Sequence, residues 1–294
     1  MEDYSSAKFK AHIEVRGGEV SLDLSGKGLS GVLDAVTELT KVQELRLNSN
    51  NLTELPTSIN KLKNLIRLNL SRNKLTELPS EVGDLKNLRW MLDVSNNQLV
   101  SLPTSIQKLN QLEWLNLSGN KLTELPSEIG DLKKLRGLDV SNNQLVSLPS
   151  SIQKLNQLDS LHLSRNKITE LPSEIVDLKK LRTLSVSYNQ LVSLPTSIQK
   201  LNQLQGLYLS GYKLTELPSE IVDLKKLRSL NVSDNQLVSL PTSIQKLNQL
   251  DSLYLSRNKL TELPSEVGDL KNLRWMLDVS NNQLVSLPTI FQFI

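Results

Sequence analysis

Cysteine is absent from this 294-residue chain. That excludes disulfide-stapled ends and thiolate chemistry, and it points to a reducing compartment. A cytoplasmic location is the expectation. Histidine is scarce too: His12 and His162 stand alone, neither grouped with carboxylates at metal-ligand spacing, so no metal or other cofactor is expected. Aromatic residues make up only 4 % of the chain, so whatever core it builds is aliphatic. No apolar run approaches the length of about 18 residues that a membrane span needs, and no transmembrane segment is expected. The opening stretch from Met1 to Lys10 lacks the basic segment and apolar run of a secretion signal. Charge of one sign is lacking as well. Lys and Arg number 34 against 31 Asp and Glu, for a net charge of +3. They alternate, as in Glu174, Asp177, Lys179, Lys180 and Arg182, which suits a solvated face and argues against a nucleic-acid partner.

What the chain does have is a period. All 11 prolines follow leucine, from Pro56 and Pro79 through Pro264 to Pro288, at intervals of 23 or 24 residues. Each interval also carries Leu-x-x-Leu-x-Leu-x-x-Asn. A unit of that kind gives one short strand and a returning segment, and it can bury its apolar face only by stacking on its neighbours. The Asn position falls at residues 27, 50, 73, 97, 120, 143, 166, 189, 212, 235, 258 and 282, with Lys27 and Tyr212 as the two exceptions. A buried carboxamide both donates and accepts, so the column reads as a ladder serving the turn after each strand. Tyr212 is too large for such a slot, and its ring is expected to turn outward.

The returning segment alternates between two texts, Leu-Pro-Ser-Glu-Ile-x-Asp-Leu-Lys-Lys-Leu from Leu171 and Leu-Pro-Thr-Ser-Ile-Gln-Lys-Leu-Asn-Gln-Leu from Leu194. Proline fixes φ and offers no amide donor, so it ends the extended segment and starts a short 3₁₀ or α turn, with the adjacent Ser or Thr as cap. Residues 1–19 lie outside the register. Ser5 or Ser6, then Ala7, Phe9, Ala11 and Ile13 before Gly17-Gly18, read as a short amphipathic helix closing the first core face. Residues 20–288 form the array, and 289–294 an apolar tail.

The text Leu-Thr-Glu-Leu-Pro-Ser-Glu-Ile-x-x-Leu-x-x-Leu-x-x-Leu-x-Leu-Ser-x-Asn, repeated from Asn50 to Asn282, resembles the 23-residue Ras-group class of leucine-rich repeats. The resemblance implies an α/β repeat fold: a right-handed solenoid with a concave parallel β-sheet and convex short helical turns. It also implies a protein that binds partners and is not an enzyme. Within the chain, residues 70–104 and 255–289 are identical, and both copies hold one extra residue beside Trp90 and Trp275. That insertion reads as a bulge at the strand entrance.

Chemistry of other kinds finds little support. Serines recur at template positions with no patterned base, so no nucleophile is activated. Gly26-Lys-Gly28-Leu-Ser-Gly31 matches a dinucleotide-binding pattern, yet its glycines fall at the turn of the first repeat, and no βαβ domain follows.

Variation instead concentrates on the strands, whose alternate residues face the concave side. The aromatic and arginine members there, Arg46, Arg67, Trp114, His162, Arg165, Tyr188, Tyr208, Tyr254 and Arg257, are the candidate ligand-binding residues. Tyr, Trp and Arg dominate binding hot spots, and Arg165, Tyr188, Tyr208, Tyr254 and Arg257 are expected in one continuous band. The expected function is recognition of a macromolecular partner, a protein first. The alternative is innate-immune recognition of a microbial surface ligand such as lipopolysaccharide or cell-wall glycan. After Pro288 the template gives way to Thr-Ile-Phe-Gln-Phe-Ile. Ile290, Phe291, Phe293 and Ile294 either plug the last core face or leave a patch for a second copy. An end-to-end homodimer is the favoured expectation, with a cut through a longer array as its competitor.

Overall fold

The computed structural model describes residues 12–16, 18–32 and 34–286. It divides into two compact units between Asn143 and Gln144.

In the first unit, β1 (His12–Arg16) and β2 (Glu19–Asp23) form an antiparallel hairpin. A short helix α1 (Asp34–Thr37) follows. The strands β3 (Glu44–Arg46), β4 (Arg67–Asn69), β5 (Met91–Asp93), β6 (Trp114–Asn116) and β7 (Gly137–Asp139) then add in parallel, each beside its predecessor. The hairpin corrects the helix expected before Gly17-Gly18. With Arg16 opposite Glu19 and Gly18 at φ 88°, the chain reverses here between two strands instead of ending a helix. β1 thereby covers the edge of β2, which an array of parallel strands would otherwise leave open. The remainder of that expected helix lies outside the described residues.

In the second unit, β8 (Ser160–His162), β9 (Thr183–Ser185), β10 (Gly206–Tyr208), β11 (Ser229–Asn231), β12 (Ser252–Tyr254) and β13 (Met276–Asp278) are likewise parallel and in sequence order. In both units the middle residue of each three-residue strand points inward. Leu68, Leu115, Leu161, Leu207 and Leu253 are fully buried, and the buried apolar side chains are Leu, Ile and Val with Tyr212 the lone aromatic among those described.

Opposite the strands run five-residue 3₁₀ turns, from Thr57–Lys61 to Ser265–Asp269. Each begins after Leu-Pro, and the proline carbonyl accepts the first bond, as from Ile129 N–H to Pro126 at 3.0 Å. The Ser or Thr next to proline makes no capping bond, contrary to expectation. It is the first helical residue, not the residue before it, and where the text is Pro-Ser-Glu the serine hydroxyl turns to the neighbouring Glu, as from Ser127 to Glu128 at 3.0 Å. The two alternating texts complement each other. Lys134, Lys180 and Lys226 of one donate to Gln111, Gln157 and Gln203 of the other, at 2.6, 2.6 and 2.7 Å.

The Asn ladder forms as the residue type predicts. Asn73 Nδ2 donates to the carbonyls of Leu47 and Leu70, both at 2.9 Å, and its Oδ1 accepts from Leu52 N–H at 3.0 Å. Asn50, Asn97, Asn120, Asn143, Asn189, Asn235, Asn258 and Asn282 repeat this triad of one neighbouring carbonyl, one local carbonyl and one amide. Lys27 needs no carboxamide of its own, because Asn50 Oδ1 accepts from both Lys27 and Leu29 N–H at 3.0 Å.

Candidate functional site

The first and third residues of each three-residue strand face outward, and the third, with Asp23 at the end of β2, forms a column whose members pair across the sheet. In the first unit this column reads Asp23, Arg46, Asn69, Asp93, Asn116, Asp139. All but Arg46 serve the backbone: each Oδ1 accepts the amide two residues on, as in Ser25 to Asp23 at 2.9 Å and Ser118 to Asn116 at 3.0 Å. These Asx hooks hold the chain as it leaves the strand. Partial burial raises the pKa of Asp23, but the Ser25 bonds and the Arg46 charge outweigh it and hold the carboxyl below its ordinary value.

Arg46 and Arg67 of the same unit are engaged. Arg46 contacts Glu44 at 2.8 Å and Asp23 at 3.6 Å, and Arg67 contacts Glu19 at 3.2 Å. Arg67 and Arg89 both approach the Trp90 ring, at 5.7 and 5.5 Å. Trp90 sits on the bend just before β5, where Met91 loses its pairing to Trp114. That interruption is the local cost of the extra residue. Trp114 lies over Gly137, its partner in the neighbouring strand; a Cβ there would meet the indole at 2.1 Å.

In the second unit the column reads His162, Ser185, Tyr208, Asn231, Tyr254, Asp278. Only Asn231 and Asp278 act as hooks. The hydroxyl and amide of Ser280 hold the Asp278 carboxyl below its ordinary pKa. His162 Nε2 lies 2.9 Å from Ser160 Oγ. Tyr208 and Tyr254 flank Asn231, so their rings stand two strand spacings apart, on the order of 10 Å. Beside them the first-position residues are Gly206, Ser229 and Ser252, all small. The Tyr208 ring leans across Gly206, where a Cβ would meet it at 3.1 Å.

A second column follows the strands. The residue before each ladder position adopts a left-handed backbone, and in this unit those residues are Arg165, Tyr188, Gly211, Asp234, Arg257 and Asn281, at φ 54° to 78°. Arg165 stacks on the Tyr188 ring at 4.9 Å, Tyr188 donates to Asp234 at 3.1 Å, and Arg257 contacts Asp234 at 3.5 Å. The bond to Asp234 raises the Tyr188 pKa. Arg165, Tyr188 and Arg257 therefore do not share one band with Tyr208 and Tyr254, as the sequence led us to expect. They stand on turns in a column of their own, because the left-handed position follows the strand by three residues.

Sequence reasoning missed Asp234, which joins Tyr188 to Arg257, and the glycines that make room for rings. A signal for the latter exists: Gly137 follows Trp114, and Gly211 follows Tyr188, by one repeat of 23 residues. Tyr212 also departs from expectation. Its ring is buried at 6 % exposure, and its hydroxyl donates to Val186 O, the carbonyl that an Asn at this rung would reach. The slot accepts a phenol because the ring extends along the carboxamide's own direction. Ile290, Phe291, Phe293 and Ile294 lie outside the described residues. Among the described residues no helix is long and apolar enough to cross a membrane, and no cluster of His, Cys, Asp or Glu could hold a metal ion.

A leucine rich repeat family model matches residues 40–99, 156–214, 179–237 and 225–284, and a leucine-rich repeat region model matches 103–167. The chain belongs to the leucine-rich repeat family. A leucine-rich repeat protein of Leptospira interrogans is 34 % identical over 92 % of this chain and 86 % of its own, with a TM-score of 0.67. A TDR receptor is 33 % identical, covering 89 % of this chain and 47 % of that one, with a TM-score of 0.80. The Arabidopsis receptor kinase HAESA, solved with the peptide hormone IDA and the co-receptor SERK1, is 29 % identical over 90 % of this chain and 46 % of its own, with a TM-score of 0.77. This leucine-rich repeat protein thus spans under half of each of those two receptor chains. A comparison with curated proteins finds no match. The repeats are what this chain shares with these proteins.

Proposed function

We propose that the protein binds a protein or peptide segment on the strand face of its second unit. The observation that carries this reading is the release of Tyr208 and Tyr254 from backbone service: neither hooks a turn, and the first-position residues of their strands and of the strand between them, Gly206, Ser229 and Ser252, are all small. Rings of this kind supply large contact area at low conformational cost and recur as interface anchors. The Tyr188, Asp234 and Arg257 column offers a polar rim beside them. That HAESA was solved with a peptide hormone fits a segment as the ligand class.

The test is selection of a displayed random peptide library on the intact chain, followed by titration of the selected peptides. Peptides should lose at least about 2 kcal/mol of affinity to the pair Tyr208→Ala with Tyr254→Ala. Lys179→Ala, on the opposite face, should leave affinity unchanged. Equal losses from both faces would overturn the assignment. Failure of selection together with saturable binding to lipopolysaccharide or cell-wall glycan would favour the microbial-ligand reading instead.

A further inference from the structure

The ladder is broken at one rung of the second unit. Elsewhere in this unit the amide at each position equivalent to Leu191 donates to a ladder Oδ1: Leu145 to Asn166 at 2.9 Å, Ile168 to Asn189 at 3.0 Å, Leu237 to Asn258 at 3.0 Å. The matching carbonyls accept from the next turn, as in Lys167 to Leu145, Gln190 to Ile168 and Lys259 to Leu237, at 2.8 to 2.9 Å. At Tyr212 the phenol reproduces only the bond to Val186 O. It has no second atom for Leu191 N–H. Among the described residues, Leu191 N–H, Leu191 C=O and Lys213 N–H have no partner.

The disturbance reaches the following rung. Gly211 N–H to Ser233 O stretches to 3.2 Å, where Arg165 and Tyr188 make the same bond at 2.8 and 2.7 Å. Leu214 N–H to Asn235 Oδ1 lengthens to 3.2 Å. The Lys to Gln contact made by Lys167 and by Lys259 is missing between Lys213 and Gln190. The larger side chain has wedged the turn away from its neighbour. A hollow of about 390 Å³ opens there, lined by Asn189, Gln190, Leu191, Val192, Gly211, Tyr212 and Lys213. Val192 at its mouth is 85 % exposed, against 54 % for Val238 at the same repeat position.

We propose that this hollow binds a primary carboxamide, the side chain of an Asn or Gln presented by a partner. It holds two N–H donors and one carbonyl acceptor without partners, and a carboxamide supplies both the complementary acceptor and the complementary donor. It is the group that every neighbouring rung uses for the same backbone positions. A carboxylate meets the donors but leaves the Leu191 carbonyl unanswered. A ketone does likewise. Because Tyr212 occupies the inner end of the slot, the group enters from the surface past Val192. The site is separate from the rings of Tyr208 and Tyr254, and it stands or falls independently of peptide binding there.

Acetamide is the probe, titrated into the intact isotopically labelled chain while backbone amide resonances are followed. The Leu191 and Lys213 signals should shift saturably. Acetate and acetone should move them at least tenfold less at equal concentration, and N-methylacetamide, which mimics a backbone amide, should bind more weakly than acetamide. Tyr212→Asn should abolish the response by rebuilding the rung, whereas Tyr212→Phe, which keeps the wedge, should retain it. Shifts spread over many residues, or equal with acetate, would overturn the site, as would a response that survives Tyr212→Asn. Absence of any saturable shift would mean that water alone satisfies these groups. A stronger response to N-methylacetamide would reject a side chain as the occupant.

Discussion

Tyr188 donates its phenol hydrogen to Asp234 across an intervening turn, at 3.1 Å, and it reaches that far because Gly211 between them has no side chain. A Cβ on Gly211 would lie 2.2 Å from Tyr188 Cδ1. The left-handed backbone is not what demands glycine, since Arg165, Tyr188, Asp234 and Arg257 adopt it as well. Space is.

Gly211→Ala should therefore lift the Tyr188 ring from its shelf and break its bond to Asp234. Tyr188 is 43 % exposed and can swing into solvent, so the loss of stability should be modest, about 1 kcal/mol. The sharper readout is ionisation. The Tyr188 phenol should titrate closer to its ordinary value of 10.0 once Asp234 no longer accepts from it. An unchanged phenol titration would show that the ring does not depend on the shelf.

Asn120→Ala should cost about 3 kcal/mol in thermal or denaturant unfolding. It removes one of two carboxamide donors from each of the Val94 and Leu117 carbonyls and leaves the buried Leu99 N–H without its acceptor. Asn120→Asp keeps the shape yet replaces two donated bonds with carboxylate oxygens facing carbonyls, and it should be at least as damaging near neutral pH. Should the Asp variant match the wild type, the donors are dispensable.

Tyr212→Asn should raise the melting temperature, because it returns partners to Leu191 and Lys213 and lets the turn close as its neighbours do. The wild-type chain should also show an alkaline weakness. Burial raises the Tyr212 pKa above the ordinary 10.0, so the fold favours the neutral phenol. That contribution is complete below pH 10.0 and declines as pH rises beyond it toward the folded-state value. Unfolding measured across this range should steepen for the wild type and not for Tyr212→Phe.

Asn116→Ala and Tyr208→Ala occupy the same column and should behave oppositely. Asn116 holds Ser118 by two bonds, from its amide at 3.0 Å and its hydroxyl at 2.8 Å, so its loss should cost about 1 kcal/mol. Tyr208 hooks nothing, and its removal should change stability by less than about 0.5 kcal/mol. Comparable losses in chemical denaturation would mean that Tyr208 is a structural residue.

The repeat period, the inward leucines, the Asn ladder and the 3₁₀ turns were legible because each follows from spacing and residue chemistry alone. The hairpin of β1 and β2 was not, since Gly17-Gly18 serves equally as a helix stop and as a two-residue turn. Tyr212 was misjudged on size: its oxygen reaches the carbonyl that an amide nitrogen would, and the backbone yielded where the ring was expected to. The strand column looked uniformly like a recognition surface, yet Asp23, Asn69, Asp93, Asn116 and Asp139 bind their own backbone, a role set by residues two positions on. Which rings share a column depended on turn geometry, and a one-dimensional template does not show it.

The pairing of Lys134, Lys180 and Lys226 with glutamines one repeat back bears on how such an array grows. Copying a single repeat would set like text against like, lysine facing lysine and glutamine facing glutamine. Copying two at once preserves every junction. The identical segments 70–104 and 255–289 lie eight repeats apart, an even number, as duplication in pairs requires. The alternation acts as a parity rule on the gene: lengthening by odd steps leaves a mismatched seam, while lengthening by even steps leaves none.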